Sequence, residues 1–173
     1  ELLVLLTILS LAPSLIMMMT AFTRVYIVLS FVERAIGLQQ LPPRQILAGM
    51  AMFLTFYIMA PTFTVIYHEA VVPFYSQEIP TPVAYSKTMH EMRKFMTSQT
   101  REKDIGLFFR LSSTPGPRTR GAVPTHILVP AFMLSEMKTA FTMGILIYIP
   151  FIVIDMVVAS ILMSMGMIMV PPA

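Results

Sequence analysis

The chain has 173 residues, of which 56% are hydrophobic and only 12% charged, a balance far from that of a soluble globular domain and expected of a protein that inserts into a membrane. Its 12 Lys and Arg against 9 Asp and Glu leave a dispersed net charge of +3, too small for a nucleic-acid footprint. With no Cys, disulfides and Cys-based metal or thiol chemistry are excluded.

The first predicted element is apolar. Leu2 to Thr23 is 22 residues without a charge, and the run continues past Arg24 to Val32. No small-residue cleavage site follows Leu2–Leu11, so this is not read as a signal-peptide core. Gly37 then ends a helix and Pro42-Pro43 forbids its continuation, so the loop from Glu33 to Arg44 predicts an antiparallel helical hairpin. Ile46 to Tyr67 is a second charge-free run of 22 residues. Each run is long enough for a helix to cross roughly 30 Å of hydrocarbon.

The character changes from His68 to Thr125, which carries eight basic and five acidic residues, His excluded. Met89, Met92, Phe95 and Met96 mark one apolar face of a helix whose other surface carries Lys87, Glu91, Arg93 and Lys94. A short helix follows over Arg101–Leu111, with Ser98 or Thr100 as N-cap, and Ser112–Gly121 reads as an exposed loop. The third apolar stretch, Thr139–Val170, is interrupted only by Asp155. It is too long for one upright helix, so a kink at Gly144 or Pro150, or a turn at Gly166, is expected.

The resulting fold class is all-α, with long kinked helices in helical hairpins, a small polar helical insert and targeting to a membrane. Its parts are an N-terminal hairpin (1–67), a polar insert (68–125) and a C-terminal hairpin with a Met-rich turn (126–173). Two Arg against one Glu in the Glu33–Arg44 loop favour the cytoplasm for that loop, which would put the insert on the opposite, periplasmic side, whereas the insert's own excess of basic residues argues against this.

Catalytic and metal motifs fail on inspection. His68-Glu69 and His90-Glu91 begin an HExxH pattern, but the second imidazole is replaced by Val72 and by Lys94. There is no Gly-rich phosphate loop. Met163, Met165, Met167 and Met169 are soft groups compatible with Cu(I). Without Cys or a nearby His they read as adaptable packing or a seal. No enzyme, metal or cofactor is expected.

Charges within apolar surroundings carry more information. A bilayer-centred Asp costs roughly 2.5–3.5 kcal/mol on insertion scales, so Asp155 is expected to face protein or water. Glu136 and Lys138 are two apart and point in different directions on one helix, so each needs a partner on another element, with Arg24 and Asp155 as the candidates. Fixed ion pairs and a proton or ion relay are both consistent with this set. Ala140 with Gly144, and Ser160 with Ser164, have the small-xxx-small spacing of close helix approach. Helix association, and an oligomer, are expected on that basis.

Several ordered blocks resemble the FliP family of bacterial flagellar type III export-gate proteins and their virulence-injectisome relatives. They are Leu11-Ala12-Pro13, Met18-Met19-Thr20, Phe22-Thr23-Arg24, Gln39-Gln40, Pro42-Pro43, Phe53–Phe56, Gln99–Asp104, Pro130-Ala131-Phe132, Ser135–Phe141, and the stretch from Asp155 to Pro172.

The resemblance implies a non-enzymatic, structural subunit of a protein-conducting gate. Five copies would join one FliR and several FliQ subunits, with other export-apparatus proteins, in the inner membrane and flagellar basal body, and unfolded flagellar substrates would pass through the centre. Met167, Ile168 and Met169 fall on the family's methionine gasket, with Ile168 standing where a third methionine is usual. Phe95, Phe108 and Glu136 resemble family positions linked to contacts between copies, and Asp155 resembles a functionally important acid. The chain stops at Pro171-Pro172-Ala173, where the family continues into another apolar helix, which implies a truncated or incomplete sequence. Two other readings compete. One is a proton-coupled small-solute transporter with Asp155 and Glu136 as relay groups, and the other is a membrane scaffold with no conducting path.

Overall fold

A computed structural model describes residues 2–37, 43–112 and 119–165. The expected Met-rich turn with Met167, Ile168 and Met169 lies outside these residues, as do Gln39, Gln40, Pro42, Gly166 and most of the Ser112–Gly121 loop. All regular structure among the described residues is helical. The elements are α1 (Leu2–Met18), α2 (Phe22–Ala35), α3 (Arg44–Ile66), a π-helical turn (Tyr67–Val71), α4 (Val72–Tyr75), α5 (Thr81–Gln99), α6 (Glu102–Leu111), a 3₁₀ turn (Arg120–Ala122) and α7 (Thr125–Ser164).

Prolines set several of the starts. Pro43, Pro80 and Pro124 stand immediately before α3, α5 and α7 with ψ of 141°, 158° and 145°. A residue with fixed φ and no N–H is well suited to that place, because a helix start leaves donors unused. The first apolar run, by contrast, is divided at Met19–Ala21 with neither Gly nor Pro at the break. Thr20 Oγ1 donates to the carbonyl of Met17 at 2.9 Å and accepts the N–H of Phe22 at 3.4 Å. Its hydroxyl competes with the helical ladder and ends it.

The helix α7 covers most of the third apolar stretch. It runs unbroken through Pro130 and Pro150, about 60 Å at 1.5 Å per residue. A proline withdraws one donor from the ladder, and here the turns on either side keep the helix continuous. The short helix α6 begins at Arg101 as N-cap, not Ser98 or Thr100. Both of those hydroxyls turn back to α5 carbonyls, Ser98 to Phe95 at 2.7 Å and Thr100 to Met96 at 2.6 Å. Glu102 and Asp104 occupy the first turn of α6 and Arg110 its last, the arrangement that a helix dipole favours.

The core lies where α5 and α6 cover the first turns of α7. Met96, Ile105, Phe109, Val123, Ile127, Leu128, Ala131 and Phe132 are buried together, and Phe95 meets Phe132 edge to face at 5.9 Å. Burial of each large side chain stabilises the fold by roughly 1.5–3 kcal/mol.

Helix α2 packs against both α7 and α3. On α3, Leu47, Ala51, Thr55 and Met59 are buried at every fourth position, along one face of the helix. On α7 the Phe31 ring lies over Gly144, where an added Cβ would come within 2.2 Å of Cδ2, and it meets Phe141 edge to face at 5.8 Å.

Beyond Gly144 the burial of α7 stops, Ala159 excepted. Leu146, Val153, Ile154, Met156, Val157 and Ile161 are exposed. Two helical stretches, Arg44–Tyr75 and Thr125–Ser164, are long and apolar enough to cross a membrane.

Candidate functional site

The turn between α5 and α6 brings the Gln99–Asp104 block of the sequence onto α7, where it meets the Ser135–Thr139 block. Ser135 is fully buried. Its Oγ accepts the backbone N–H of Arg101 at 3.0 Å and donates to the carbonyl of Gln99 at 3.5 Å. Arg101 Nη2 donates to Thr139 Oγ1, one turn further along α7, at 3.0 Å. The free N–H at the start of α6 therefore finds its partner on a neighbouring helix.

Two ion pairs flank this junction. Arg24 Nε on α2 stands 3.2 Å from Glu136 Oε2, and Arg24 Nη1 donates to Gln99 Oε1 at 3.3 Å. Glu136 is 1% exposed, and its Oε2 receives no aligned hydrogen bond, so the contact with Arg24 is one of charge more than of hydrogen bonding. Lys138 Nζ donates to Asp104 Oδ1 on α6. Asp104 is 2% exposed, and its Oδ2 has no hydrogen-bond partner among the described residues.

Side-chain direction on a helix explains the division of labour. Glu136, Ala140 and Gly144 form one stripe at four-residue spacing, and that stripe faces α2. Arg24 and Phe31, two turns apart on α2, meet its two ends. Lys138 points away from the stripe, toward α6. Glu136 and Lys138 thus take partners on different elements, with Lys138 pairing to Asp104 and not to Asp155.

Of the other residues singled out in the sequence, Phe95 and Phe108 are half-buried and pack against the core cluster from its edge. Asp155 is half-buried on the otherwise exposed part of α7, and it takes part in none of the ion pairs found among the described residues. Ser160 and Ser164 are exposed, and their hydroxyls donate to α7 carbonyls at 2.7 Å. Gln99, Arg101, Asp104, Ser135 and Thr139, which build the junction, stood out in the sequence only as members of the Gln99–Asp104 and Ser135–Phe141 blocks, with no role of their own. One signal for Asp104 was available: it lies one turn before Phe108 on an amphipathic helix.

The junction has the composition of a clamp. It holds two buried carboxylates, each opposed by a cation on another element, and no group of three His, Asp or Glu able to hold a metal occurs among the described residues.

The FliP family profile matches residues 5–173. A protein of Bacillus subtilis described as flagellar biosynthetic protein FliP is 49% identical over 172 residues, which cover 99% of this chain and 78% of that protein. Proteins of the same description from Treponema denticola and Caulobacter vibrioides are 52% and 48% identical, covering 99% and 98% of this chain. The chain spans 64% of the length of each of these two relatives.

Proposed function

The chain belongs to the FliP family, and from this premise we propose that it is a structural subunit of the type III protein export gate. In that role it forms and seals the channel through which unfolded substrates pass as the flagellum is assembled. It acts in flagellar export at the membrane, in association with other export proteins, and it is not an enzyme. In this reading it forms a homopentamer with FliQ and FliR subunits in the inner membrane and basal body. The polar insert, 68–125, stands on the periplasmic side between the N-terminal hairpin, 1–67, and the C-terminal hairpin, 126–173.

The observation that carries this reading is the contrast between the two parts of α7. Up to Gly144 the helix is held by α2, α5 and α6 through a buried core and two ion pairs. Past Gly144 it presents exposed apolar side chains, from Ile145 to Met165. An apolar surface of that extent is a binding surface, because a chain that left it in water would aggregate. The clamp fixes the direction in which this free part leaves the fold. Arg24, Glu136, Lys138 and Asp155 act here as assembly or gating charges, Phe95, Phe108 and Glu136 as contacts between copies, and Met167, Ile168 and Met169 as the pore seal.

Removal of Met167–Met169 from the full-length protein, assembled with its sister subunits, is expected to raise the leak of ions and small solutes through the gate. Vesicle permeability or cell conductance measures it. Permeability unchanged from wild type would overturn the sealing role.

A further inference from the structure

A cavity of about 320 Å³ opens between α1, the start of α2 and α3. Its walls are Pro13, Ile16 and Met17 from α1, Thr20 and Phe22 at the helix break, and Met52, Thr55, Phe56 and Phe63 from α3. The volume falls in the range of small-ligand sites, and three aromatic rings in the lining are typical of them.

The polar atoms in the wall select the class of occupant. Thr20 Oγ1 donates to the Met17 carbonyl at 2.9 Å and Thr55 Oγ1 to the Ala51 carbonyl at 2.6 Å, so both hydroxyl protons are already committed. A ligand with polar groups at this depth would lose its hydrogen bonds to water and find few in return, at a cost of roughly 1–3 kcal/mol per group. An apolar ligand meets no such cost.

The shape selects further. The α3 wall extends from Met52 to Phe63, eleven residues or about 16 Å of helix, so the site is a slot along the helix. That helix is one of the two apolar enough to cross a membrane, which puts the slot within reach of lipid.

We propose that the slot between α1 and α3 binds one acyl chain of a membrane lipid. The chain lies along Met52, Thr55, Phe56 and Phe63 and fills the space between α1 and α3. The site shares no residue with the ion-pair clamp.

The test uses the full-length protein in lipid nanodiscs that contain a phosphatidylcholine with a photoreactive diazirine on its acyl chain. Peptide mapping after illumination is expected to find label concentrated on the slot residues. Met52→Trp, which fills the slot from its rim, should lower that label severalfold. Phe53→Trp, one residue away on α3 and outside the slot lining, should leave it unchanged. Unaltered helical content by circular dichroism checks that both variants fold. Label spread evenly along the exposed faces of α3 and α7 would overturn the proposal. So would equal loss in the two variants, or cross-links from the slot to a second copy in place of lipid.

Discussion

Arg24 is the residue whose loss should be felt most sharply, because it is the cation beside a carboxylate that is 1% exposed. Arg24→Met leaves the Glu136 carboxyl buried without a counterion, a change that typically costs about 3–5 kcal/mol. Glu136→Gln should cost less. Arg24 is 20% exposed, so water takes over part of its solvation, and Gln99 still accepts from it. The replacement of both partners by Met should recover much of the loss in Arg24→Met, because no charge is then left buried. Chemical denaturation of the three variants in one detergent gives the order. An Arg24→Met protein as stable as wild type would mean that the pair does not hold α2 to α7.

The same residues show what the sequence disclosed and what it concealed. Glu136 and Arg24 were legible as candidates because each charge stands in or beside an apolar run. Asp104 was legible only as a member of the Gln99–Asp104 block, because it ends the charged run Arg101-Glu102-Lys103-Asp104. Its burial and its pairing with Lys138 come from the tertiary fold.

At the scale of helices, the contact of α2 with α7 depends on Gly144 having no side chain. An added Cβ would lie 2.2 Å from the Phe31 ring, so the ring must move, and overpacking of this kind costs about 1–3 kcal/mol. Alanine in place of glycine inside a helix returns about 1 kcal/mol through propensity. Gly144→Ala is therefore expected to be destabilising in the wild type and neutral or stabilising beside Phe31→Leu, where the ring is gone. A double-mutant cycle on unfolding free energies measures the coupling. Additive effects would show that Phe31 does not occupy the Gly144 hollow. The helices themselves were legible from charge-free runs, the Gly37 and Pro42-Pro43 stop and the Met–Phe stripe of α5. The division at Thr20 was not, since a single threonine hydroxyl causes it and threonine in an apolar helix is otherwise unremarkable.

For the whole molecule, composition disclosed an apolar protein without showing which apolar surface its own fold would cover. The folded chain answers this: α5, α6 and α2 cover α7 as far as Gly144 and leave the rest uncovered. Burial of that remainder by other subunits is the central claim, and it separates a gate subunit from a transporter that works alone. The most direct measurement is the mass of the complex extracted in mild detergent after the full-length protein is produced together with FliQ and FliR subunits. The account predicts one discrete particle containing several copies of this chain. A single copy per particle, with both sister subunits present, would contradict it.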